Sequence, residues 1–76
     1  MTTIITINKE PVELYKILKF EGIADSGAAA KAMVATGHVR LNGIIETQKR
    51  KKILSGDTLI ISDDTFSILL EQHESE

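Results

Sequence analysis

"DSGAAAKAMVATGHVRLNG", residues 25–43, changes its repeat part-way along, and that change decides the fold. The first half has helical spacing: Ala30, Met33 and Val34 fall at i, i+3 and i+4 among alanines, the strongest helix formers. Ser26 or Asp25 supplies an N-cap for the first free N–H groups, and Gly37 a C-terminal stop. Beyond Gly37 the period is two, with Val39 and Leu41 alternating with His38, Arg40 and Asn42. Asn42-Gly43 then offers the two positive φ angles that a type I′ hairpin turn needs. A helix therefore runs almost directly into a β-hairpin.

Upstream, Thr3 to Ile7 ("TIITI") is rich in β-branched residues and reads as a short strand. Pro11 suits the first position of another helix, where its missing N–H costs nothing. Leu14, Ile17 and Leu18 give that helix one apolar stripe, and Gly22 ends it. The link to the second helix is short, so the two pack as a pair. Downstream, Ile44 and Ile45 begin the return strand. A turn at Ser55-Gly56-Asp57 precedes a strand ending near Ile61, and Asp63-Asp64 precedes a last strand, "TFSILL", over 65–70. The first and last strands are able to pair, which leaves few free edges. Residues 71–76 read as a frayed tail. The 76 residues make one domain of α+β class: two packed helices, a small antiparallel β-meander and a short N-terminal strand.

A chain of this size buries only roughly 60% of the surface it exposes when unfolded. That leaves no room for a deep enclosed active site. There is no cysteine, so disulfides and thiolate metal sites are excluded. The N-terminus lacks the basic region and long apolar run of a signal peptide, and no stretch approaches the roughly 20 apolar residues of a membrane helix. The expectation is a cytoplasmic protein with no membrane partner.

The net charge of −2 conceals a segregation. Residues 14–56 carry Lys16, Lys19, Lys31, Arg40, Lys49, Arg50, Lys51 and Lys52 against Glu21, Asp25 and Glu46, a net +5. Residues 57–76 carry six acids and no Lys or Arg. A basic middle on an acidic chain is the electrostatic footprint of a site for a polyanion.

Catalytic patterns are missing. The chain has two histidines, His38 before a strand and His73 in the tail, with no GxSxG or paired-carboxylate pattern and no zinc set. No catalytic residue, metal or cofactor is expected. "DSGAAAK" lacks the spacing of a P-loop. It does place small residues at free helix N–H groups, with Lys31 a turn further on; anion binding and close helix packing both explain it. For the "KRKK" run, Lys49–Lys52, the plain explanation is a solvated loop. Its company in Lys16, Lys19, Lys31 and Arg40 favours phosphate contact instead. Residues 38–54 read as one hairpin-like unit against the helix pair, with Arg40 and the run in one neighbourhood. Tyr15, Phe20 and Phe66 are expected in the core or at its edge, so a base-stacking platform is not.

"LYKILKFEGIADSGAAAKAMVATGHVRLNGIIETQKRKKILSGDTLII", about residues 14–61, resembles the S-four-type RNA-binding domain, named for a ribosomal small-subunit protein. The family's ordered elements are a first helix ending in Gly, a Ser-led second helix with Ala and Lys, G-x-V-x-V-N-G, basic residues and Gly-Asp, and this chain follows them in order with Leu41 at the second Val. The short flanks resemble the small stand-alone bacterial members. The resemblance implies a non-catalytic RNA-binding protein using Ser26, Lys31, Arg40, Asn42, Lys49, Arg50, Lys51 and Lys52, with Lys19 at the rim. It implies turn roles for Gly22, Gly37, Gly43, Gly56 and Asp57. Many members carry Arg where this chain has Gly27, which removes one phosphate contact. The expected partner is structured RNA, with ribosomal RNA or the ribosome as candidates, bound by a monomer. The competing expectation is a protein-interaction module or accessory subunit that docks an acidic partner on the same patch.

Overall fold

The computed structural model describes residues 2–71, so the tail expected to fray lies outside it apart from Glu71. The elements are β1 (Thr2–Ile7), β2 (Val12–Glu13), α1 (Leu14–Phe20), α2 (Gly27–Ala35), β3 (Val39–Leu41), β4 (Ile44–Ile45), β5 (Lys52–Ile53), β6 (Thr58–Ile61) and β7 (Asp64–Leu70). The α+β class is the expected one.

Local signals set most of these. Helix α1 buries Leu14, Ile17 and Leu18. It stops at Gly22, whose φ of +73° lets the N–H groups of Ile23 and Ala24 turn back to the Leu18 carbonyl. Helix α2 starts at Ser26, whose hydroxyl oxygen accepts from Ala29 N at 3.1 Å, and buries Ala30 and Val34 against α1 and the sheet. Asn42 and Gly43 take φ of +52° and +88°, the type I′ turn between β3 and β4.

The strand path is less simple than a meander. The main sheet has the order β1-β7-β6-β3-β4, so β6 returns to the far side of β3 from β4. Strand β1 does pair with β7, in parallel, and forms one edge of the sheet. The second reversal sits one residue earlier than expected, at Ser62-Asp63, with Ser62 at φ +55°. One sheet face, through Ile5, Ile7, Val39, Leu59 and Ile68, packs on the helices to form the core. Ile53 joins this core with no exposed surface.

Two further expectations are corrected. Pro11 does not open α1. It follows a cis peptide bond, and Val12–Glu13 stay extended because they pair antiparallel with Lys52–Ile53. Phe20 is not a core residue and is 70% exposed. It lies about 200° around the helix from Leu18, off the buried stripe. Tyr15 and Phe66 are half-buried against the core, as expected.

Candidate nucleic-acid interface

A short helix leaves its first N–H groups without partners, and Glu13, at the N-cap of α1, makes no side-chain cap. The basic run fills that need with its own backbone. Leu14 N donates to the Lys51 carbonyl at 2.9 Å, and Tyr15 N donates to the Lys49 carbonyl at 3.1 Å. The β2–β5 bridge continues the attachment through Lys52. The run is therefore fixed by main chain to the start of α1. All four of its residues are exposed.

The Tyr15 ring gathers cations from two other segments. Lys31 Nζ of α2 lies 4.7 Å from the ring centroid, and the Arg50 guanidinium of the run lies 5.8 Å from it. Sequence reasoning placed Tyr15 at the core edge and missed this role. Its position directly after the buried Leu14, at the margin of the apolar stripe, is the signal that was present. Lys19 belongs to the other end of α1, and its Cδ lies 3.9 Å from where a Cβ on Gly27 would sit. That brings Lys19 beside the start of α2. There Ser26 Oγ and O are taken by Ala29 N and Ala30 N, while the N–H groups of Gly27 and Ala28 have no acceptor among the described residues.

Arg40 is not brought to this cluster. Its cross-strand neighbours are Ile45 and Ile60, and alternation along β3 turns it to the face opposite the buried Val39, away from the helices. Asn42 is committed to the chain itself. Its Oδ1 accepts from Thr58 N at 2.9 Å, and its Nδ2 donates to Asp57 Oδ1 at 3.1 Å. Asp57 Oδ2 accepts from Leu54 N, the turn cap expected of it. Between hairpin and run lies an open groove of about 430 Å³ lined by the apolar Leu41, Ile44 and Leu54, by Lys51 and Lys52, and by the acids Glu46 and Asp57.

Among the described residues the only ion pair is Lys16–Glu13, at 3.5 Å. Lys19, Lys31 and the four cations of the run have no carboxylate within ion-pair reach among those residues. No described helix is long and apolar enough to cross a membrane.

A family model of the S4 domain matches residues 5–69, most of the chain. The chain belongs to the S4 domain family. The S4 relatives include "Putative RNA-binding protein YbcJ" of Escherichia coli (strain K12), 40% identical over 65 residues that cover 84% of this chain and 93% of YbcJ. "Uncharacterized protein YbcJ" of Shigella flexneri matches with the same identity and coverage. The solution structure of Escherichia coli YbcJ, described as revealing an alfaL motif involved in RNA-binding, superposes with a TM-score of 0.66 at 39% identity. It covers 87% of this chain and 85% of that one. The S4 match thus takes in both helices, the hairpin, the pinned run and most of β7, so every cation named above lies inside it.

Proposed function

We propose that this protein is a small, non-catalytic RNA-binding protein of the cytoplasm that holds the phosphate backbone of structured RNA on its basic face. Lys31 and Lys49–Lys52 make the main contacts, with Lys19 and the start of α2 at Ser26 as a flank. Arg40 contacts RNA only where the RNA wraps past the hairpin, and Asn42 serves by holding the turn. The protein works as a monomer, with ribosomal RNA among its targets.

One observation carries this reading. Nine of the chain's 11 acids lie among the described residues, and none of the nine forms an ion pair with a described cation of the run, with Lys31 or with Lys19. Glu13 faces Lys52 across the β2–β5 bridge without closing to ion-pair distance, so the charges of the run stay open to an external anion. The naming of YbcJ as RNA-binding supports the choice of RNA as that anion.

The test is binding of a labelled RNA hairpin at several KCl concentrations, wild type against Lys49→Glu plus Lys52→Glu. Each lost phosphate contact flattens the log–log salt slope by roughly 0.7 to 0.9. The double variant is expected to bind more weakly with a slope flatter by about twice that. Equal affinity and slope in the two proteins would overturn the reading, and displacement by an acidic peptide but not by RNA would point to a protein partner.

A further inference from the structure

We infer that Tyr15 is a positioning residue, and that its ring holds Lys31 and Arg50 as a two-cation site for backbone phosphate. The inference rests on the RNA-binding reading and adds the device that builds the site. Three segments distant in sequence meet here: the ring from α1, Lys31 from α2 and Arg50 from the run. The ring is steadied by half-burial against the core. The Tyr15 N–H donates to the carbonyl of Lys49, the residue before Arg50, so the main chain delivers Arg50 to the ring.

The choice of an aromatic partner has a chemical consequence. A carboxylate at this point would orient both cations and also neutralise them. The face of an aromatic ring attracts a cation through its quadrupole while carrying no net charge, so both positive charges remain. No carboxylate among the described residues pairs with either cation. Both charges stay beside one ring without a carboxylate, so an RNA backbone that passes the ring meets two cations. The Arg50 fork suits two phosphate oxygens, and the Lys31 ammonium adds a point charge. The ligand class is the phosphodiester backbone of RNA.

The experiment measures hairpin RNA binding for wild type, Tyr15→Phe, Tyr15→Leu, Lys31→Ala and the Tyr15→Leu plus Lys31→Ala pair. A cation–π contact at an exposed site is worth roughly two- to fivefold. Tyr15→Phe keeps the ring and is expected to bind within about twofold of wild type. Tyr15→Leu keeps an apolar side chain against the core and is expected to bind about tenfold more weakly. The pair is expected to lose less than the product of its singles, because Lys31 no longer has a ring to be held by. A purely structural role for Tyr15 predicts lower thermal stability in Tyr15→Leu with unchanged affinity for the folded fraction, and that result overturns the inference. If Tyr15→Leu does not fold, wild-type NMR decides: the Tyr15 ring and Lys31 side-chain resonances must shift on adding the RNA, and their silence overturns the inference. Loss of binding in Lys49→Glu plus Lys52→Glu with full binding in Tyr15→Leu removes only the Tyr15 role. Indifference to both removes the RNA-binding reading as well.

Discussion

Replacing Asn42 by glycine removes a cross-link between two turns and leaves the backbone free to keep its conformation. The side chain makes two hydrogen bonds, from Thr58 N and to Asp57 Oδ1, while the Asn42 N–H bond to the Thr58 carbonyl, 2.8 Å, survives any substitution but proline. Glycine relieves the left-handed backbone at φ +52°, which offsets its extra unfolded-state entropy, so the net loss is that of the two side-chain bonds. A neutral bond contributes about 1 kcal/mol and one to a carboxylate about 1.5–3 kcal/mol. The site is exposed, so water takes over the freed groups and the lower end applies. Asn42→Gly should cost about 2 kcal/mol, equivalent to roughly 8–16 °C in Tm for a domain of this size. Asn42→Ala loses the same bonds and adds about 1 kcal/mol for a Cβ in left-handed backbone. Asp57→Ala also frees Leu54 N, and the Asn42–Asp57 pair should show a coupling of about 1 kcal/mol in a double-mutant cycle. The chain has no tryptophan and a single tyrosine, so urea unfolding followed by far-UV circular dichroism is the suitable assay. Stability within 0.5 kcal/mol of wild type for Asn42→Gly, or strictly additive Asn42 and Asp57 effects, would refute the cross-link. A second readout addresses function. Hairpin RNA affinity well below Tm should match wild type, and a severalfold loss there would make the Asn42 amide an RNA contact after all.

Other substitutions probe the frame around the site. Ile53→Ala empties a fully buried position beside the run and should cost about 2–5 kcal/mol in urea unfolding, with faster amide exchange at Leu14 and Tyr15 as the carbonyls of Lys49 and Lys51 loosen. Ser26→Ala loses the cap on Ala29 N and should cost about 1 kcal/mol by the same assay. Gly22→Ala meets no atom within 4 Å, so its cost of about 1 kcal/mol is that of the +73° backbone alone, and Gly22→Asn should recover part of it.

What the sequence revealed follows from the range of the signals. The α1 stripe, the Ser26 cap, the Gly22 and Gly37 stops and the Asn42-Gly43 turn each occupy a few neighbouring residues, and each forms as expected. The β2–β5 bridge joins two residues to two others about forty positions away, too few to show a period, and it displaced the expected start of α1. Phe20 and Arg40 fail for a different reason. The periodicities already in use, 3.6 for the helix and two for the strand, put Phe20 off the stripe and Arg40 away from the helices. Tyr15 was legible only as a core-edge residue, because its two cations arrive from segments that the sequence does not connect to it.

In the proposed RNA-binding role, the basic run would be an irregular segment ordered before binding. A free loop of four residues would be ordered on binding at about 1–2 kcal/mol per residue of backbone entropy. Here that ordering is done at folding. The carbonyls of Lys49 and Lys51 satisfy helix N–H groups that would otherwise lack partners, Lys52 pairs into a strand, and the next residue, Ile53, is sealed in the core. The favourable burial of Ile53 and the capping of α1 offset the cost before any RNA arrives, so less of the phosphate attraction is spent on ordering. The same bonds run in both directions: a change that loosens the run also uncaps α1. Stability and RNA affinity should therefore fall together for substitutions that act on the Lys49–Ile53 main chain, and separately for those that act on its side-chain charges.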